Sequence, residues 1–468
     1  MLKFTQIDAQ SPDKRDAKLR AQDFREIYAD FIRVKAEEQS SRCSQCGVPF
    51  CQSGCPLQNN IPDWLQLSAE GRLEDAYRLS AQTNSMPEIC GRICPQDRLC
   101  EGACVIEKSG HGAVTIGAIE KTLTDNAWEN GWVEPIKPAV ERGLSVGIIG
   151  AGPAGLAAAE ALREQGWQVV VYDRHDRAGG LLMYGIPNFK LDKVIVQRRI
   201  DRLIKGGVKF VLNTNVGTDI SFADLQNTHA AILLATGVYK SRALQVPGCG
   251  SNGVVEALPY LVQSNRRGLG DKVDAPTAAG KHVVVIGGGD TAMDCVRTAI
   301  RQDAKSVTCL YRRDQTNMPG SASETKNAMD EGVAFNWLAA PQAIHNKDGQ
   351  VSLVRAVRMR LGLPGRSGRQ AVSPIKGSEF DLGADMVIQA LGFTPEDMSQ
   401  ICADMTLTRH GTVKAHPTRF ETNIPGVYAA GDIVRGASLV VWAIREGRDA
   451  AQAMHAYLLN QTAQIAAE

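Results

Sequence analysis

The sequence predicts an α/β protein in which two Rossmann-like domains follow a helical, cysteine-rich N-terminal domain. The β-branched run LSVGIIG leads into a glycine turn, an alanine-rich stretch PAGLAAAEALREQG and a second apolar run, WQVVVYD. The segment KHVVVIGGGDTAMDCVRTAIRQDAKSVTCLYRRD repeats that order. Strand, glycine turn, helix and strand is the opening of a βαβ dinucleotide fold, so two such openings imply two dinucleotide-binding domains. A third observation concerns sulfur: of 12 cysteines, eight fall between Cys43 and Cys104, while Cys249, Cys295, Cys309 and Cys402 are scattered. Such asymmetry marks a metal-bearing segment attached to an ordinary reduced-thiol globule.

At 468 residues the chain exceeds what one hydrophobic core usually organises. Lys plus Arg number 52 against 51 for Asp plus Glu, a net charge of +1, which gives no bulk electrostatic reason to expect nucleic acid or a membrane as partner. The N-terminus lacks an apolar signal-peptide core, and no apolar run approaches the roughly 18 to 20 residues that span a bilayer, so a soluble, cytoplasmic protein is expected. Residues 13–40 place Leu19, Phe24, Ile27, Phe31 and Val34 at helical spacing, predicting one amphipathic helix. VEPIKPAVERG, ending at Gly143, and SNRRGLGDKVDAPTAAG read as linkers.

In the first βαβ opening Gly150, Gly152 and Gly155 stand in G-x-G-x-x-G spacing. The three serve a tight turn, close approach of a pyrophosphate and helix–strand packing, and the helix N-terminus behind them faces the phosphates. Asp173 ends the second strand 18 residues after Gly155, where a carboxylate can accept from ribose hydroxyls and disfavours a 2′-phosphate. AAILLATG, ending at Gly237, and GVYAAGD, containing Gly431 and Asp432, resemble the two additional motifs of two-dinucleotide-binding flavoproteins. In those proteins the aspartate at the place of Asp432 binds the ribityl-side region of FAD, so FAD is expected here. The helix predicted after Asp432 would aim its positive end at the flavin.

The second opening carries Gly287, Gly289 and Ala292 in G-x-G-x-x-A spacing. Its second strand ends in Arg312 and Arg313 rather than an acid, and guanidinium groups there suit a 2′-phosphate, so NADPH is expected over NADH.

Cys43, Cys46, Cys51 and Cys55 read C-x2-C-x4-C-x3-C, and Cys90, Cys94, Cys100 and Cys104 read C-x3-C-x5-C-x3-C. Eight thiolates make two four-ligand sites. Structural zinc is the competing reading, and would leave a zinc-stapled interaction protein on a nucleotide-binding scaffold. The crowding, the prolines after Cys55 and Cys94, and the downstream flavin motifs favour two [4Fe-4S] clusters. A two-electron flavin beside one-electron clusters forms a wire, which zinc cannot.

RCSQCGVPFCQSGCP, PEICGRICPQDRLCEGAC, GAVTIGAIE, GIIGAGPAGLAAAE, YDRHDRAGGLLMYGIPNFKL, GGGDTAMDC, YRRDQTNMPGS and AAGDIVRGASLVVWAIREGR together resemble the small (β) subunits of bacterial NADPH-dependent glutamate synthase, over nearly the entire chain. The wider group includes electron-input modules for other acceptors, such as ferredoxin, a pyrimidine reductase or a polysulfide-type acceptor. The resemblance implies NADPH oxidation on FAD, with electrons passing to a large FMN-bearing (α) subunit that makes L-glutamate from L-glutamine and 2-oxoglutarate. It implies that Cys104 joins Cys43, Cys46 and Cys51 while Cys55 joins Cys90, Cys94 and Cys100, against a simpler sequential grouping that also fits the spacing. It further implies that Gly180, Leu181 and Lys190 run beside the flavin. The corresponding division is 1–143 iron–sulfur domain, 144–275 FAD domain, 276–404 inserted NADPH domain and 405–468 return to the FAD domain.

The chain opens MLKF, with no cysteine placed to be an N-terminal glutaminase nucleophile, and retains no barrel-sized region for FMN, so alone it is expected to be an NADPH diaphorase. No close cysteine pair lies in either nucleotide domain, which argues against a disulfide reductase. Hydride transfer needs no acid or base, so no general-base catalyst is assigned; His175 and Glu324 are expected to be solvated.

Overall fold

Both valine-rich runs form central strands of parallel sheets in the computed structural model, which describes residues 1–365 and 368–467. The first sheet has the order Val427–Ala429, Ala231–Leu234, Ser145–Ile149, Gln168–Tyr172, Lys209–Val211. The second runs Val254–Glu256, Met386–Gln389, His282–Ile286, Ser306–Tyr311, Ala334–Trp337. All their pairings are parallel, and Ile148, Val171, Leu233, Val285 and Ile388 are fully buried, as strands covered on both faces require. Each glycine turn therefore leaves its sheet from the middle strand.

Adjacent strands Ala231–Leu234 and Val427–Ala429 of the first sheet are separated in sequence by the whole second sheet. Where the chain crosses out and back, Lys240–Ser241 pairs antiparallel with Phe393–Thr394. The helix Pro153–Glu164 packs on Val440–Ala467 at small residues: a Cβ at Gly447 would lie 2.2 Å from the Ala154 carbonyl oxygen.

A three-stranded antiparallel sheet, Ala339–Lys347, Gln350–Pro364 and Gln370–Gly383, was not expected from the sequence. Its first hairpin turns at Asp348 (φ 53°) and Gly349 (φ 80°), the Asp-Gly turn that matches strand twist.

The N-terminal region is helical, with Arg33–Ser40, Ile61–Ala69, Leu73–Ala81, Pro87–Ile93 and Ile116–Glu129 around Trp64, Leu65 and Ile119. The single helix expected over 13–40 is corrected: only Ala17–Arg20 and Arg33–Ser40 are helical there. Between them the chain doubles back, Arg15 N–H donating to Ile27 O and Ala29 N–H to Asp13 O, and Leu19 and Val34 face solvent. Tertiary anchoring has overridden a helical spacing of apolar residues.

Candidate nucleotide and iron–sulfur sites

Glycine is needed at Gly150 and Gly155 for packing, since a Cβ there would lie 2.4 Å from Ala235 O and 2.0 Å from Gly150 O. Gly152 differs. Its φ of −79° and ψ of −175° suit any residue, and a Cβ would meet nothing within 4 Å. Protein geometry gives no reason for glycine there, whereas a pyrophosphate lying against the turn does. The same holds at Gly289 (φ −92°, ψ 178°, nothing within 4 Å), while Gly287 is pressed against Ala390 O. Ala292 is fully buried on the helix Asp290–Arg301 behind the turn.

Two cavities open around the first turn. One, of about 110 Å³, is lined by Gly152, Asp173, Leu181, Gly237, Asp432 and Val440. The other, of about 70 Å³, is lined by Gly150, Asp173, Arg174, Gly237, Tyr239 and Glu396. The long C-terminal helix starts at Val440, so its N-terminus faces the first cavity. Asp173 Oδ2 accepts from Ala151 N–H at 2.7 Å and Oδ1 from His175 at 2.9 Å. Asp432 Oδ1 accepts from Ser438 Oγ at 2.7 Å, and burial raises its pKa. Gly431 (φ 80°) presses on Ala154, and Gly180 (φ 53°) on Gly152, so both are turn glycines rather than open cradles. The Arg174 guanidinium lies 4.8 Å from the centre of the Tyr239 ring and pairs with Glu396 at 2.9 Å, a clamp on the second cavity that the sequence did not signal.

Beyond the second turn Arg312 is exposed, whereas Arg313 is buried and donates through Nε to Gln370 O at 3.1 Å. The two guanidiniums thus occupy different environments: Arg312 lies in solvent, while Arg313 keeps a buried Nη1 without a hydrogen-bond partner.

The cysteines form two sets across their sequence groups. Cys55, Cys90, Cys94 and Cys100 line one cavity with Leu57, Trp64, Leu99, Ile116 and Val441. Cys51 instead neighbours Cys43, Cys104 and Cys46; burial first, then these like charges, push its thiol to about 12. Cys43 Sγ accepts from Gln45 N–H and Nε2 at 3.5 Å each. Donors and apolar walls around thiols suit iron–sulfur ligation. Glu120 lines the cavity of the Cys55 set, and burial raises its carboxyl to about 8.

The largest of these cavities, about 220 Å³, has Cys94 on one wall, Lys190 on another and Asp290, the first residue behind the second glycine turn, on a third. Arg98 reaches across to Pro319 O at 2.5 Å. Lys190 does not lie free beside the first turn: its Nζ donates to Asp294 Oδ1 at 2.8 Å and stands 3.6 Å from Glu324. Burial alone would lower the Lys190 pKa, but Asp294, Glu324 and Asp290 raise it, while burial lifts Asp294 to about 6. Glu324 corrects the expectation of a solvated side chain, since it is buried against Arg297 at 2.6 Å. His175 is partly exposed and tied to Asp173.

Fold and site define a FAD-dependent NADPH oxidoreductase with an iron–sulfur domain. Residues 20–132 match the family of dihydropyrimidine dehydrogenase domain II, 4Fe-4S cluster, and residues 144–447 the pyridine nucleotide-disulphide oxidoreductases. Mycobacterium tuberculosis FprA in complex with NADPH shares the fold, with a TM-score of 0.60 at 19% identity over 69% of this chain and 86% of that one. The glutamate synthase [NADPH] small chain of Azospirillum brasilense is 59% identical over 98% of this chain and 96% of its own length. That of Escherichia coli is 46% identical over 97% and 98%. The chain belongs to the family of glutamate synthase [NADPH] small chains. Among the described residues no helix is long and apolar enough to cross a membrane.

Proposed function

We propose that this chain is the cytoplasmic electron-input subunit of a glutamate synthase, delivering electrons from NADPH to a large FMN-bearing (α) subunit that makes L-glutamate. The observation that carries the reading is the cavity of about 220 Å³, where Asp290 at the second glycine turn and the cluster thiol Cys94 share walls with Lys190. It supplies a short path from a nucleotide to a metal centre. The four-part division at residues 143, 275 and 404 is proposed with it: an iron–sulfur domain, and an FAD domain into which the NADPH domain is inserted.

FAD lies along the first turn, its pyrophosphate over Gly152 and its adenosine ribose at Asp173, with Gly237, Gly431, Asp432 and the Val440 helix end along the ribityl chain. Gly180 and Leu181 shape the flavin side, and Lys190 fixes that side to the NADPH domain. NADPH lies over Gly287, Gly289 and Ala292. Cys43, Cys46, Cys51 and Cys104 hold one [4Fe-4S] cluster and Cys55, Cys90, Cys94 and Cys100 the other. Bound between these residues, FAD would supply two-electron acceptance with one-electron release, and the clusters the one-electron path onward. The residues contribute binding, orientation and exclusion of water; none needs to move a proton for the hydride step.

Anaerobic affinity purification from the native host, with mass spectrometry of what co-purifies stoichiometrically, tests the assignment. A much larger flavoprotein with a glutaminase region is expected. Recovery with ferredoxin or another reductase would overturn the glutamate synthase reading.

Arg312 carries the 2′-phosphate specificity. Charge-assisted hydrogen bonds contribute about 1.5–3 kcal/mol, so Arg312→Ala is expected to raise the KM for NADPH roughly 10- to 100-fold and leave the KM for NADH nearly unchanged. Steady-state diaphorase assays with both nucleotides check this; equal losses for both would refute a phosphate contact.

A further inference from the structure

The N-terminal segment that fails to form one helix does something else. Residues 13–29 make a hairpin, closed by the Lys14–Tyr28 bridge and the Arg15–Asp23 ion pair at 2.5 Å, and this hairpin lies over the second parallel sheet's helices. Lys14 Nζ donates to Asn327 Oδ1 at 2.8 Å. Arg20, only 2% exposed, donates through Nε to Glu331 Oε1 at 2.9 Å. On its other side the hairpin grips the flavin-side loop and the iron–sulfur region. Asn188 Nδ2 donates to Phe24 O at 3.1 Å, and Glu26 Oε1 accepts from Arg92 Nε at 2.8 Å and from Asp192 N–H at 3.1 Å.

Glu331 is the junction. Besides Arg20 it accepts from Arg297 at 2.8 and 2.9 Å and from Arg301 at 2.6 Å, with both guanidiniums on the face of Phe189 at 4.5 and 3.9 Å. Arg297 continues to Glu324 at 2.6 Å, Glu324 to Lys190 at 3.6 Å, and Lys190 to Asp294 at 2.8 Å. A continuous buried chain of charges thus runs from the strap, through the helix behind the second glycine turn, to the residue after Phe189 in the flavin-side loop. The arginine pairs hold Glu331 down at about 2 against the opposing effect of burial.

We propose that Arg20 and Glu331 are positioning residues for hydride transfer: the strap fixes the NADPH-side helix Asp290–Arg301, and through it Lys190, at a set distance from the flavin-side loop. The proposal rests on the nucleotide placements proposed above. Two covalent crossings, near residues 240 and 393, join the sheets, and together with the Lys190–Asp294 pair and the Asn265 Nδ2 to Tyr184 O hydrogen bond the strap limits any swing between them. Hydride transfer tolerates little of that, because a displacement of about 1 Å from near-attack geometry costs on the order of 100-fold in rate. The strap turns a hinged pair into one positioned site.

Arg20→Met is the informative variant, since Glu331 keeps Arg297 and Arg301 and no buried charge is left unpaired. In the full-length, FAD- and iron-loaded protein, anaerobic stopped-flow reduction at saturating NADPH is expected to slow about 10-fold or more, within the range that misplacement predicts. NADPH affinity should hold within a factor of about three, because the strap touches no ligand group. Amide hydrogen exchange should rise in 188–193 and 290–301, Arg20→Lys should restore much of the rate, and Lys18→Met, altering an exposed strap residue, should change nothing. Lys14→Met removes the strap's bond to Asn327 and should give a smaller slowing of the same sign, which keeps the test alive if Arg20→Met does not fold. A wild-type reduction rate in loaded Arg20→Met or, failing that, in Lys14→Met overturns the positioning role. An unchanged NADPH affinity in Arg312→Ala would instead overturn the nucleotide placement.

Discussion

Gly152→Ala is expected to yield a folded protein that binds FAD more weakly and purifies with less than one flavin per chain. Two glycines of this turn serve different ends. At Gly155 a Cβ would stand 2.0 Å from Gly150 O, so alanine forces the helix away from the strand whether or not a ligand is bound. Gly152 has an ordinary backbone conformation and open space where the Cβ would be, so alanine costs the flavin-free protein nothing in packing. A methyl group there occupies the approach of the pyrophosphate, and overpacking of about 1–3 kcal/mol corresponds to FAD binding weakened roughly 5- to 150-fold. The flavin-to-protein ratio, measured by absorbance, and thermal unfolding of the flavin-free protein check this. Gly152→Ala should lose flavin at unchanged apo stability, and Gly155→Ala should lose both. Full FAD occupancy with unaltered affinity in Gly152→Ala would remove the pyrophosphate from this turn.

The parts of the fold legible in the sequence are those where local and tertiary demands agree. His282–Ile286 reads as a buried strand because its valines are covered on both faces, and the glycine turn after it must be tight for any neighbour. Residues 13–40 were illegible for the opposite reason. Their apolar spacing is helical, yet Phe24 and Ile27 serve a hairpin held by Asn188, Glu331 and Arg92, partners far away in sequence. Glu324 and Arg313 look like surface charges by type, and are buried only because Arg297 and Gln370 come from other elements. The antiparallel sheet had two local signals, the Asp348–Gly349 turn and the apolar–polar alternation that buries Val351, Val354, Ala356 and Met359 in Gln350–Pro364, whereas Gln370–Gly383 is largely exposed.

The arrangement of thiols makes the most discriminating prediction. Spacing allows the first four cysteines to hold one cluster and the last four another, or Cys55 and Cys104 to trade places. The fold puts Cys55 in a cavity with Cys90, Cys94 and Cys100, and sets Cys104 beside Cys43 and Cys51. A double variant reads the difference. Cys55→Ala with Cys90→Ala removes two ligands from one cluster under the exchanged grouping, but one ligand from each under the sequential grouping. Anaerobically purified protein is therefore expected to fall from about eight to about four iron atoms per chain, with one reducible cluster left in its electron paramagnetic resonance spectrum. Cys43→Ala with Cys104→Ala should retain the other. Loss of nearly all iron from both variants would restore the sequential grouping. Because Cys94 shares a cavity with Lys190 and Asp290, the two variants also separate the clusters by position along the path. Removing the Cys55 set should stop NADPH from reducing any cluster while FAD reduction continues. Removing the Cys43 set should leave one cluster reducible and block only the onward transfer to a partner.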